Sequence, residues 1–247
     1  MPATEFRMCS RRRHDACQTT WAKSVYSPLL KRRIALSLTA ALNEVLIQLV
    51  RLESPLVSSL QPGLSRKVID DMVNLLPFKL PEDLYQLYMW RNGTREGSYA
   101  ETNLFAHPAS YFAPLDLALD NSVHLSEDLI TSHLVETWEP LEFEPSAYYF
   151  DLFSDPGDSD FLVPCGIQLL EKPPVVFWSP ELGTPRIHYS DLESMMWTVA
   201  TCYESGAYFL ANAFENEPLS VDADYIQERQ IAKRLNPKVR YWQEQEG

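Results

Sequence analysis

Apolar residues recur at helical spacing from the first long hydrophobic run onward. In IALSLTAALNEVLIQLV (34–50), Leu38, Leu42, Val45, Leu46 and Leu49 form one stripe. That periodicity predicts an amphipathic helix. Asn43, Glu44 and Gln48 interrupt the run, which falls short of the roughly 20 apolar residues a membrane span requires. PGLSRKVIDDMVNLLP (62–77) repeats the pattern, with Ser65 as a cap, Val68, Ile69, Met72, Val73 and Leu76 as the stripe, and Pro77 as the stop.

LPEDLYQLYMWRNGT (80–94) predicts a third helix. Pro81 suits its first position, Glu82 and Asp83 complement its positive end, and Leu84, Leu87 and Tyr88 form the buried stripe. Gly93 is expected to stop it in the left-handed conformation. TNLFAH (102–107) fits a strand, and 112–134 fits helical pieces capped by Asp116, Asn121 and Ser126. From 148 the period changes. YYFDLFS, DFLVPCG, PPVVFWS and PRIHYS are short runs rich in Tyr, Phe, Val and Ile, separated by turn residues. They predict an antiparallel meander. Residues 191–214 return to helix behind an Asp191 cap, and a charged helix runs from 222 to Asn236-Pro237. Helices, then strands, then helices predict one α+β domain over 34–240.

Charge changes the picture at the N-terminus. Residues 1–33 hold eight Lys/Arg against two Asp/Glu, so the rest carries −19 of a total −13. The head is expected to be a disordered basic extension. The acidic remainder argues against nucleic-acid binding and fits a basic protein partner. The four cysteines, at 9, 17, 165 and 202, form no CxxC pair, which suits a reducing cytoplasmic setting with Cys165 and Cys202 in the core.

Candidate chemistry is sparse. Asp151, Asp155, Asp158 and Asp160 crowd one turn but lack the EF-hand spacing, so no metal site is expected. The five histidines lack HExxH spacing, and no GxSxG or phosphate-binding glycine loop is present. Cofactors are accordingly not expected. His188, in RIHYS, is read as a strand residue.

Four stretches, in order, resemble the SUKH superfamily, which includes yeast cell-wall synthesis regulators of the Smi/Knr type and bacterial toxin-immunity proteins. They are LPEDLYQLYMWRNG, YYFDLFSDPGDSDFLV, VVFWSPE and IHYSDLESMMWTVATCYE. The resemblance covers residues 64–210. The family's Gly-rich turn between central strands appears here as Asp155-Pro156-Gly157-Asp158-Ser159-Asp160.

The resemblance implies a non-enzymatic protein-binding fold, a mixed sheet packed by helices, serving as an immunity protein or regulatory adaptor. Pro81, Trp90, Asn92 and Gly93 are then architecture joining helix to sheet. Asp155, Asp158 and Asp160 are the expected partner-binding acids, with Tyr111 and Trp138 as aromatic anchors. The alternative is a carboxylate-based hydrolase using the 151–160 acids.

Overall fold

The computed structural model describes residues 37–97, 99–107, 109–131, 146, 148–155, 159–181, 184–212 and 219–244. They belong to one compact unit, Ser37–Gly247. The basic head, Trp138 and Asp158 lie outside the described residues.

The fold is α+β. Helix α1 (Leu38–Arg51) forms on the first stripe, and its cap Ser37 accepts a hydrogen bond from the Ala40 amide. Leu38, Leu42, Val45 and Leu49 are buried as the periodicity predicts. A short α2 (Leu56–Ser59) leads into β1 (Leu60–Pro62). Helix α3 (Arg66–Val73) starts at the expected Ser65 cap, but only Ile69 of its stripe is buried.

Helix α4 (Glu82–Trp90) begins one residue later than Pro81 suggests, because Pro81 is itself the cap, with φ −59° and ψ 151°. Glu82 accepts two hydrogen bonds from the Arg66 guanidinium, each 2.8 Å. Arg66 also lies 4.5 Å above the Tyr85 ring, and the Tyr85 hydroxyl donates to Asp70. These contacts fasten α3 to α4.

Gly93 does have a positive φ, +69°, but it does not cap the helix. Extended Arg91 (φ −150°, ψ 142°) ends α4 and opens β2 (Arg91–Thr94), which pairs antiparallel with β1. Gly93 serves a close approach instead. A Cβ there would meet the Ala113 carbonyl carbon and the Pro114 nitrogen at 2.4 Å. Asn92 is structural too: its Oδ1 accepts from the Leu115 amide at 2.9 Å, holding the start of the next long helix.

The expected strand at 102–107 is absent. Thr102 ends α5 (Tyr99–Thr102), and the chain then closes a loop through Leu104 N–H to the Ser110 carbonyl. The Ala109 amide donates to His107 Nδ1, and the Asn103 amide group donates to the Ser110 hydroxyl. Such local side-chain bonds displace a ladder. The pieces expected at 112–134 are one helix, α6 (Leu115–Thr131).

The main sheet follows the predicted meander: β3 (Tyr148–Asp155), β4 (Ser159–Cys165), β5 (Val175–Trp178) and β6 (Arg186–Tyr189), adjacent in chain order and antiparallel. Its inner face, with Phe150, Phe153, Phe161, Val163 and Val175, shares one core with α1, α4 and α7 (Leu192–Ser205). Asp191 caps α7 through a reciprocal bond pair with Ser194. Gly206, at φ +77°, ends α7, so the remainder of that apolar run becomes β7 (Tyr208–Ala211) paired with β8 (Ser220–Ala223). Helix α8 (Tyr225–Leu235) runs from the Asp224 cap to Asn236, and α9 (Arg240–Glu244) follows. Cys165 and Cys202 are buried and free.

An aromatic seam joins the helical layer to the sheet. Tyr88 meets Phe112 at 5.6 Å and the edge of Phe150 at 6.0 Å. Trp90 stacks on Phe112, which contacts Phe153 at 5.7 Å. Such pairs add about 0.5–1.5 kcal/mol each beyond area burial.

Replacing Gly93 by Ala combines a strained φ with a backbone clash. Urea unfolding should show a loss of about 3 kcal/mol or more. A loss below about 1 kcal/mol would show that the approach to Ala113 and Pro114 relaxes freely.

Candidate functional site

Sequence-flagged residues converge on the outer face of the main sheet. Ser154 of β3 is bridged by Tyr111 on its free edge and paired with Asp160 on the other side, and Asp160 pairs with Trp178 of β5. Paired residues project to the same face. Tyr111, Ser154, Asp160 and Trp178 therefore form one row across the sheet. Asp151, Tyr149, Leu162 and Val176 lie on the same face by the same register.

Helix α6 packs along β3. Its contact is polar. The Ser122 hydroxyl accepts from the Asp151 amide at 2.9 Å, and the Ser126 hydroxyl accepts from the Tyr149 amide at 3.3 Å. These hydroxyls donate in turn to the Ala118 and Ser122 carbonyls. The spacing explains the fit. Four helical residues rise about 6 Å, and two strand residues span about 6.7 Å. Ser122 and Ser126 thus match the outward amides of Asp151 and Tyr149. Asn121 completes the contact by donating from its side-chain amide to Asp151 Oδ2 at 2.9 Å.

The carboxyls of this face are unlike solvated turn acids. Asp151 is 5% exposed, and its Oδ1 has no hydrogen-bond partner among the described residues. Burial pushes its pKa up to about 6, against the lowering effect of the Asn121 bond. Asp160 is half-buried. Burial first, then the negative charges of Asp151 and Asp155, push it up to about 7. Asp155 is half-buried at the end of β3. Asp160 is therefore a weaker source of negative charge than its sequence position suggests.

Exposed acids stand near the Tyr111 end of this row. Asp116 and Asp120 stand on α6, and Glu96 follows β2; all three are exposed. The charges of Glu96 and Asp116 both reach the half-buried Tyr111 hydroxyl and, after burial, help raise its pKa. From Glu96 to Glu171 the chain carries fifteen Asp/Glu and no Lys or Arg. Folding brings Glu96 and Asp116 to Tyr111, and Asp151 and Asp155 within electrostatic reach of Asp160. The contribution of Asp116, Asp120 and Glu96 was overlooked in the sequence, although the absence of basic residues was legible there.

Of the other flagged residues, Pro81, Trp90, Asn92 and Gly93 belong to the helix–sheet junction described above. Among the described residues no group of three His, Cys, Asp or Glu is arranged to hold a metal ion. Among them, too, no helix is long and apolar enough to cross a membrane. No family model matches this chain, and no curated protein matches it.

The raised carboxyl pKa has a thermodynamic consequence. Folded Asp160 titrates near 7, against an ordinary value of 3.8. Its folded form holds the proton more tightly, so its contribution to stability is full below about pH 4 and is lost as pH rises through 7. Asp160→Asn imitates the neutral carboxyl. It should raise stability by about 1–2 kcal/mol more at pH 8 than at pH 5, read from denaturant midpoints. An equal gain at both pH values would show that Asp160 ionises normally.

Proposed function

We propose that this chain is a protein-binding domain that acts without catalysis, as an immunity-type protein or a regulatory adaptor, and that its acidic outer face meets a basic protein partner. The observation that carries the reading is the 96–171 run without Lys or Arg, folded so that the charges of Glu96 and Asp116 reach Tyr111. Clustered charge of one sign steers an oppositely charged partner and suppresses wrong ones. Tyr111 supplies the amphipathic anchor such a surface needs. The SUKH resemblance of the four motif stretches points the same way. A basic nuclease toxin is one partner class that fits. Nucleic acid and membrane are not expected partners, since the same face repels phosphate. The free buried cysteines suit a cytoplasmic setting.

Carboxylate-based hydrolysis is the second reading, drawing on Asp151 and Asp160, which share a face and act on each other electrostatically. Asp151 lies beneath α6 at 5% exposure, bonded to Asn121, which favours a structural role.

The test is capture of a partner from native lysate, followed by binding kinetics at several salt concentrations. Exposed charges act over about 8–10 Å at physiological salt. Changing Asp116, Asp120 and Asp155 together to Asn should slow association about tenfold at low salt and flatten its salt dependence, with dissociation almost unchanged. Unchanged association would move the binding surface away from this face.

A further inference from the structure

Helix α6 closes over a carboxyl that has no cation to pair with among the described residues. Asp151 lies beneath the helix at 5% exposure. Its Oδ2 accepts from the Asn121 side-chain amide at 2.9 Å, and its Oδ1 has no hydrogen-bond partner among the described residues. Neither Asp151 nor its neighbour Asp160 forms an ion pair among them. A buried carboxylate is costly unless it is paired, and an unsatisfied oxygen adds to the cost.

The groups that face this carboxyl are acidic or neutral. On the sheet, Asp151 pairs with Leu162, and Asp160 is the next residue of β4 to point to the same face. Asp155 ends β3 on the far side of Ser154, and β5 contributes Trp178 to this face. Tyr149 shares the face, with its hydroxyl accepting from the Ser146 amide. Helix α6 brings Asn121 together with exposed Asp116, Asp120 and His124, the last 3.7 Å from Asp120. From α4, the Tyr88 hydroxyl lies within reach of the charges of Asp151 and Asp116 and donates to the Ala113 carbonyl.

Three hydrogen bonds hold α6 to β3 here, and none needs a charged Asp151. Two run from the Asp151 and Tyr149 amides to the Ser122 and Ser126 hydroxyls. The third runs to Asp151 Oδ2, which accepts from Asn121 whether or not Oδ1 carries a proton. A proton on Oδ1 therefore removes the buried charge and leaves the contact intact. Ionisation places that charge under the helix, beside Asp160. Burial accordingly pushes Asp151 up to about 6, and burial with the charges of Asp151 and Asp155 pushes Asp160 up to about 7.

We propose that the Asp151–Asp160 pair is a proton-operated latch for α6, closed on β3 while Asp151 holds a proton on its unpartnered oxygen and opened more often once that proton passes to solvent. Opening returns Asp151 toward its ordinary value of 3.8, so the closed form binds the proton more tightly. Closure is then strongest below about pH 4 and weakens as pH rises through 6. Asp116 rides on α6, and its charge reaches Tyr111 from there. The latch thus sets how firmly the acidic face is assembled. It is a property of the free chain and stands or falls separately from the protein-binding reading.

Amide hydrogen exchange of the full chain at pH 5, 6, 7 and 8, divided by the intrinsic rate at each pH, reads the opening. Protection of the Asp151 and Tyr149 amides should fall about tenfold from pH 5 to pH 8 relative to the α7 amides, most of it before pH 7. In Asp151→Asn, which keeps an acceptor oxygen but cannot ionise, the same ratio should stay within about twofold across the range. The Asp151 carboxyl carbon of the wild-type chain, followed by NMR, should titrate with a midpoint near 6. The two wild-type readings decide the matter even where Asp151→Asn fails to fold. The proposal is overturned by a wild-type protection ratio that is flat from pH 5 to pH 8, by a fall that survives Asp151→Asn, or by a carboxyl midpoint near 3.8.

Discussion

Strand β3 is the edge of the main sheet, and its outward amides must find acceptors without a neighbouring strand. An unpaired edge is costly when covered and hazardous when exposed. This chain covers the edge with a helix and satisfies it with serine hydroxyls. Ser122 and Ser126 of α6 accept from the Asp151 and Tyr149 amides, and the Tyr111 backbone pairs with Ser154 further along. The matching rise of helix and strand makes the fit periodic. Because those hydroxyls also donate to the Ala118 and Ser122 carbonyls of their own helix, the contact fixes α6 in rotation as well as position. The acidic residues of α6 are placed beside β3 as a consequence.

The two faces of one sheet then diverge in chemistry. The inner face is aromatic, with Phe112 linking Tyr88 and Trp90 of α4 to Phe153 of β3. Gly93 lets β2 run close to Ala113 and Pro114, so this seam can close without a side chain between the layers. The outer face carries carboxyls whose protonation depends on the covering helix. Asp151 is buried under α6, and its negative charge helps hold neighbouring Asp160 toward the neutral form. The exposed negative charge beside Tyr111 comes instead from Glu96 and Asp116. That division sets a packed aromatic framework beneath a charged outer face.

Elements with strong periodicity or a capping side chain were legible from the residues alone. The stripe of α1, the Ser65 and Asp191 caps, and the order of the four main strands all stand where the pattern predicts. Positions where one residue type serves several local structures were not. Asn121 and Ser126 suggest caps because their side chains bond backbone amides, and Ser126 does accept one, but from β3 rather than its own helix. Gly93 has the expected left-handed backbone, for a contact twenty residues away in sequence rather than for the helix end. The strand expected at 102–107 gives way to a loop whose side chains satisfy its own backbone. The candidate acids were visible, but their burial was not, since the register that places Asp160 between Ser154 and Trp178 is a long-range property.

Native-state amide hydrogen exchange tests the edge contact most directly. In the wild-type chain the Asp151 and Tyr149 amides should be protected to the level of the paired β4 amides. Ser122→Ala should lower protection at Asp151 by about 10- to 100-fold while leaving β5 and α7 unchanged, since a buried donor loses its acceptor. Protection at Asp151 that is unaffected by Ser122→Ala would contradict the account, because the acidic helix would then be held to the sheet by something other than its serines.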